Sequence, residues 1–313
     1  MDRKFIITVD TEGDNIWKTN WTKNSMRRIT TRNGAYILRF QELCEKYNFI
    51  PTYLVDYEMT QSQPFVEMSK SKLVEKKLEI GMHMHAWNCP PYYELIPKKR
   101  GANKPYIGEY PKRIIEKKVD YLTKSLEDIF QTDIQSHRSG RWYIDKEYIQ
   151  ILKRYGYLVD CSVTPYVNWI DNSGLTRGSA GVNYKKYPCY DYEMDLNNLQ
   201  KKGKSGFYEV PVTIDRKNIS WLKYDCNWLR PNGKNIEEMN DLVEKKIIER
   251  CDYLEFMIHS SELMPGGSST FQKKQDIEHL YKDLDILFSC ISRNWQGESL
   301  SGFVVKKYNL IKH

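Results

Sequence analysis

The chain has 313 residues, 40% of them apolar, which is enough to bury a sizeable core and argues against global disorder. Its 48 basic and 41 acidic residues leave a net charge of +7, but the basic residues fall in scattered pairs (Lys76-Lys77, Lys117-Lys118, Lys185-Lys186, Lys201-Lys202) that read as solvated helix faces. With no basic stripe and no nucleic-acid motif, nucleic acid is not an expected partner; the mild positive field suits an anionic substrate or peripheral contact with acidic lipid. The seven cysteines lack C-x-x-C spacing and read as reduced, mostly buried thiols. No apolar run approaches the ~20 residues of a membrane span, and the run before Asp10 is too short for a signal-peptide core, so the expected compartment is the cytoplasm.

In chain order, residues 4–9 form a short Ile/Val/Phe run that reads as a buried first strand. Residues 34–47 carry apolar side chains at helical spacing, 49–55 return to strand character, and 65–77 are again helical. Leu78 to His83 is a strand ending in polar chemistry, and residues 89–110, rich in Pro, Tyr, Lys and Gly, form a loop. A long helix spans 111–130, a short strand 134–138, a helix 145–155 stopped by Gly156, and a strand 157–161. Residues 164–206 lack periodicity and read as a long excursion over the mouth of a barrel. Strand 207–214, helix 236–251, strand 253–259 and a last long helix 272–292 follow. Strand–helix alternation of this kind predicts parallel βα units in one domain covering 1–313, with functional groups at the carboxyl ends of the strands.

Four of those ends carry chemistry. Asp10 and Glu12, two apart after the first strand, point to one side. Two carboxylates side by side fit a metal ligand with a general base, or else a solvated acidic turn. His83 and His85 repeat the arrangement, and neutral imidazole is a common ligand of zinc-like cations. Arg138, in Ser136-His137-Arg138-Ser139-Gly140-Arg141-Trp142, can pair with a carboxylate and hold it ionised. His259 is delivered by an apolar strand and is either a packed core histidine or a proton donor.

Together these segments resemble the successive motifs of the NodB-homology polysaccharide deacetylases, carbohydrate esterase family 4, and more narrowly the branch associated with lipopolysaccharide and capsule biosynthesis. Asp10 corresponds to the first motif, Glu79-Ile80-Gly81-x-His83 to the second, Arg138 to the third, Asp160-Cys161-Ser162 to the fourth and His259 to the fifth. The resemblance implies a distorted (β/α)7 barrel and a single divalent cation, zinc by expectation, held by one carboxylate and two histidines. It implies removal of an N-acetyl or N-formyl group from an amino sugar in bacterial surface-glycan biosynthesis, with Asp10 as base, His259 as acid and Arg138 holding Asp10 ionised. Trp87, Trp142 and Asp160 would line the sugar. Two positions depart from the pattern. Thr11 replaces the second aspartate, which makes Glu12 the candidate ligand, and Trp87 stands where a second histidine is usual, which leaves His85 to supply the third ligand.

Two other functions fit the same residues: a metal-dependent amidase of a small non-sugar molecule, and a catalytically silent barrel that binds glycan. The 23 tyrosines and 8 tryptophans, dense in the loops 87–110 and 166–192, favour a sugar or glycan precursor as partner, because aromatic faces stack on sugar rings. Half-buried surface tyrosine is their other use. The oligomeric state has no signature in the sequence.

Overall fold

Strand β1 (Lys4–Thr11) is buried along almost its whole length, as its unbroken apolar run requires. The computed structural model describes residues 3–16, 28–96, 105–218 and 224–310. On one side β1 pairs in parallel with β2 (Pro51–Val55), followed by β3 (Glu79–Met84), β4 (Ser136–Ser139), β5 (Val159–Asp160) and β8 (Tyr208–Glu209). On its other side it pairs with β11 (Tyr253–His259), so that seven parallel strands run in the order β11-β1-β2-β3-β4-β5-β8. Single hydrogen bonds draw the two ends together: Thr213 N donates to Glu255 O at 3.2 Å, and Glu255 N to Thr213 Oγ1 at 2.8 Å. The result is a curled (β/α)7 barrel closed by a thin seam.

The helices around the sheet are α1 (Ile37–Lys46), α2 (Gln63–Val74), α3 (Lys112–Phe130), α4 (Lys146–Arg154), α5 (Ile236–Ile248) and α6 (Lys274–Ile291), which cross between strands, and α7 (Leu300–Lys307), which follows the last one. In α3 the residues Ile115, Val119, Leu122, Leu126 and Phe130 recur every three or four positions and are all buried. Each such side chain contributes roughly 1.5–3 kcal/mol relative to exposure, and Leu122→Ala would cost about 2–5 kcal/mol. The helix stops where Gln131 turns left-handed and its N–H closes on Glu127 O at 2.8 Å. The start of α4 is fixed by Asp145, whose side chain accepts from Tyr148 N.

Segment 164–206, expected as a long excursion, holds bridges Asn168–Asn183 and Ser173–Ala180 and a hairpin of β6 (Tyr192–Asp195) and β7 (Asn198–Lys202), with β6 antiparallel to β8. Two expectations from the sequence need correction. Expected strand 207–214 divides into β8 and β9 (Ile214–Asn218), and β9 pairs antiparallel with β10 (Tyr224–Trp228) in a separate ribbon. Lys118 is not on a solvated face. It is fully buried, donating to the carbonyls of Cys89 at 2.6 Å and Pro91 at 2.8 Å, and so pins the segment that follows β3. The loop expected over 89–110 is described except for 97–104, which lie outside the described residues. Of the seven free thiols, Cys44, Cys89 and Cys161 are buried; Cys189 is exposed and the others are half-buried.

Beneath the barrel, β12 (Gln296–Gly297) adds to β1, and α7 docks through Leu300 N on Thr52 Oγ1 at 3.0 Å and Ser301 N on Glu79 Oε2 at 3.1 Å. Among the described residues no helix is long and apolar enough to cross a membrane.

Candidate active site

The parallel register sets chemistry-bearing residues at one height. Asp10 lies level with His259 on β11 and Leu54 on β2, and His83 lies level with Arg138 on β4. All are at carboxyl ends, where the chain leaves the sheet and side chains can converge without breaking the ladder.

Glu12, His83 and His85 form a buried trio whose ligand atoms all lie within 4.8 Å of one another. Glu12 Oε2 is 2.7 Å from His85 Nε2 and 3.5 Å from His83 Nε2. His83 Nδ1 lies 3.0 Å from the Arg138 carbonyl and donates to it, which turns Nε2 towards Glu12. Ligand atoms at ~2.0–2.2 Å from a tetrahedral cation stand roughly 3.3 Å apart, so the spacing, the burial and the two-imidazole, one-carboxylate chemistry fit a zinc-like ion. The backbone of Glu12 is clamped as well. Its N–H donates to Ser260 Oγ at 3.2 Å, and its carbonyl accepts from Asn33 Nδ2 at 2.8 Å.

Asp10 sits beside this trio. Arg138 Nη1 donates to its Oδ1 at 2.6 Å, while Nη2 donates to Glu255 Oε1 at 2.6 Å and Nε to Cys161 O at 3.0 Å. Burial pushes the Asp10 carboxyl up, but Arg138, then His83 and His259, outweigh it and hold the group below its ordinary value. Glu12 is lowered further: burial is overcome by hydrogen bonds from His83 and His85. Burial, followed by the neighbouring His83, pushes His85 down to about 4, so it is neutral at physiological pH.

His259 completes the group, with Nε2 3.6 Å from Asp10 Oδ2 and 3.9 Å from Glu12 Oε1. Its side chain is 16% exposed, making it the histidine of this group nearest solvent. Behind it, Arg230 Nη2 lies 3.1 Å from Nδ1 and donates to Glu262 Oε1 at 2.9 Å, and Glu262 Oε2 accepts from the His259 N–H at 2.8 Å. Burial and Arg230 lower the imidazole pKa, but hydrogen bonding to Glu262 and the charge of Glu12 leave it raised.

The aromatic residues expected around a sugar are placed differently from one another. Trp87 is buried with its ring centroid 4.4 Å from that of His85. Trp142 is half-buried, lies 5.0 Å from the Arg138 guanidinium and 6.1 Å from Trp228, and is tied to the long excursion by Tyr184 Oη, which donates to its carbonyl at 2.5 Å. Asp160 does not face the cluster. It is fully buried, its carboxylate 2.6 Å from His137 Nδ1 and accepting from Ser162 N at 3.0 Å and Oγ at 2.9 Å. A carboxylate so enclosed supports the strand ends and offers no surface to a sugar.

Sequence reasoning missed Glu255, Arg230, Asn33, Ser260 and the role of Glu262. Glu255 carried a signal, being a lone carboxylate in the apolar strand Tyr253–His259, since a charge buried in such a strand needs a partner. Arg230 carried none, because it follows a ribbon whose position is set by tertiary contacts.

No family model matches the sequence, and no curated protein matches it either. Solved structures do resemble it. A Mycobacterium smegmatis protein named as a polysaccharide deacetylase superposes with TM-score 0.56 at 13% identity, over 100% of this chain and 94% of its own. The 4-alpha-glucanotransferase from Thermococcus litoralis gives TM-score 0.53 at 12% identity, over 97% of this chain and 38% of its own. The Xyl-CE4 domain of a multidomain xylanase from the hindgut metagenome of Trinervitermes trinervoides gives TM-score 0.49 at 8% identity, over 99% and 93%. At these identities the likeness is one of fold, and the fold is the NodB-type (β/α)7 barrel of polysaccharide deacetylases.

Proposed function

We propose that this chain is a metal-dependent hydrolase that removes an N-acetyl or N-formyl group from an amino sugar. The observation that carries the reading is the convergence of Glu12, His83 and His85 beside an Arg138-held Asp10 and a partly exposed His259. A divalent cation bound by the trio would supply Lewis-acid polarisation of the amide carbonyl and acidify a water. Asp10, kept anionic by Arg138, accepts the proton of the attacking water. His259, whose Nε2 lies 3.6 Å from Asp10 Oδ2, protonates the departing amine, which otherwise leaves as an unstable anion. Trp142 and Trp228 offer faces on which a sugar ring can stack. Two further points of the proposal are an N-acetylated glycan precursor of bacterial surface-glycan biosynthesis as substrate, handled in the cytoplasm, and residues 1–313 as one barrel domain.

The test is purification without chelator, elemental analysis, and an amine-release assay on N-acetylated amino sugars and their oligomers. The expected result is about one zinc-like ion per chain, amine release abolished by chelation and restored by added Zn2+ or Co2+, and loss of metal in His83→Ala. Amine release that persists after complete metal removal would overturn the mechanism, and no release from any acylated sugar would overturn the substrate class.

A further inference from the structure

We infer that Gly140 is a positioning residue for His85: the missing side chain at 140 is what lets an imidazole two residues after His83 reach Glu12. The inference rests on the metal-centre reading and concerns how this chain achieves it without a histidine at position 87.

The β3–β4 ladder ends at the pair Met84–Ser139, and the next residue on each side is His85 and Gly140. A β-carbon at 140 would lie 2.3 Å from His85 Nδ1, 2.7 Å from His85 Cε1 and 2.8 Å from the Met84 carbonyl oxygen. Non-bonded contacts to carbon settle near ~3.5–4.0 Å, so an added methyl demands roughly an ångström from the ring. The methyl cannot retreat, because the Met84 carbonyl is strand backbone. The ring is confined sideways, with the His83 centroid 4.6 Å away and that of Trp87 4.4 Å away. Metal ligation tolerates departures of only ~0.2 Å, so the forced shift exceeds what the site can absorb.

Gly140 is not required by its own backbone, since its φ lies outside the left-handed region. The two residues after it do adopt that region, Arg141 at φ 60° and Trp142 at φ 57°. This tight turn lays the bare backbone of 140 against the imidazole and turns Trp142 over Arg138. One turn therefore seats a ligand and builds an aromatic wall.

The test is Gly140→Ala made with His85 present and in a His85→Ala background, each folded by far-ultraviolet circular dichroism and titrated with Zn2+ and with Co2+, whose visible spectrum reports ligand geometry. With His85 present, the expected result is a loss of zinc affinity of about tenfold or more and an altered Co2+ spectrum. With His85 replaced, the same substitution should change the residual affinity less than about twofold, and its cost in melting temperature should shrink. Equal loss in both backgrounds, unchanged affinity, or failure to fold whichever residue stands at 85 would each overturn the inference. Should the unsubstituted protein bind no zinc, the metal-centre reading falls, and the melting-temperature comparison still decides whether Gly140 seats His85.

Discussion

Arg138 and Asp10 meet across the barrel interior, Nη1 to Oδ1 at 2.6 Å, from strands that β2 and β3 separate. The same guanidinium reaches Glu255, so one fully buried cation serves two carboxylates. Arg138→Met takes from both acids the one cation that bonds them together. The expected cost is about 3–5 kcal/mol in urea denaturation at neutral pH. A loss under 1 kcal/mol would mean that the pair contributes little to the native state. Arg138→Lys should recover only part, because a point-charge ammonium cannot bond both acids and the Cys161 carbonyl at once.

Asp10→Asn keeps the size and removes the charge. Amine release should fall ~10²–10⁴-fold, the usual consequence of losing a general base, while metal content stays near normal because Glu12 is the acidic member of the trio. Metal lost along with activity would move Asp10 into the ligand set.

For His259→Gln, rate and melting temperature are to be read together. A catalytic histidine predicts unchanged melting and metal with collapsed turnover. Lost stability with specific activity retained would make it a packing residue tied to Glu262 and Arg230.

Lys118 gives a pH prediction. Burial lowers its pKa from 10.5 to about 8. A base that binds its proton more weakly when folded costs stability wherever both states are protonated, and the cost fades as pH rises from about 8 towards 10.5. The full span is ~3 kcal/mol at 1.36 kcal/mol per pH unit. Denaturation of the unsubstituted protein and of Lys118→Met between pH 7 and pH 10 should show the unsubstituted protein gaining on the variant. Parallel curves would show that Lys118 is not buried as a cation.

The first three parallel strands and most crossover helices were legible because their apolar periodicity is set by one buried face, as in β1 and α3. The grouping of Glu12, His83 and His85 was legible for a related reason: strand alternation places Asp10 with Glu12 and His83 with His85. The β6–β7 hairpin and the β9–β10 ribbon were not, since polar strands such as Asn198–Lys202 carry no apolar signal and form by pairing alone. Lys118 was misread because its neighbour Lys117 is solvated and its own partners are carbonyls, which leave no mark in the sequence. Gly140 carried no signal either, because its value lies in a distance to His85 that only the folded turn defines.

The pairing of β1 with β11 also bears on how the molecule assembles. Glu12 and Ser260, hydrogen-bonded neighbours, are 248 residues apart in sequence, and Asp10 meets His259 only when β1 takes up β11. Contacts of such separation form late, because loop closure must be offset before they stabilise anything. A nascent or partly unfolded chain can therefore hold β1 to β4 and the turn after it, with Glu12, His83 and His85 together, while lacking His259. Cation capture and turnover should separate in time during refolding, with capture preceding the first hydrolytic event.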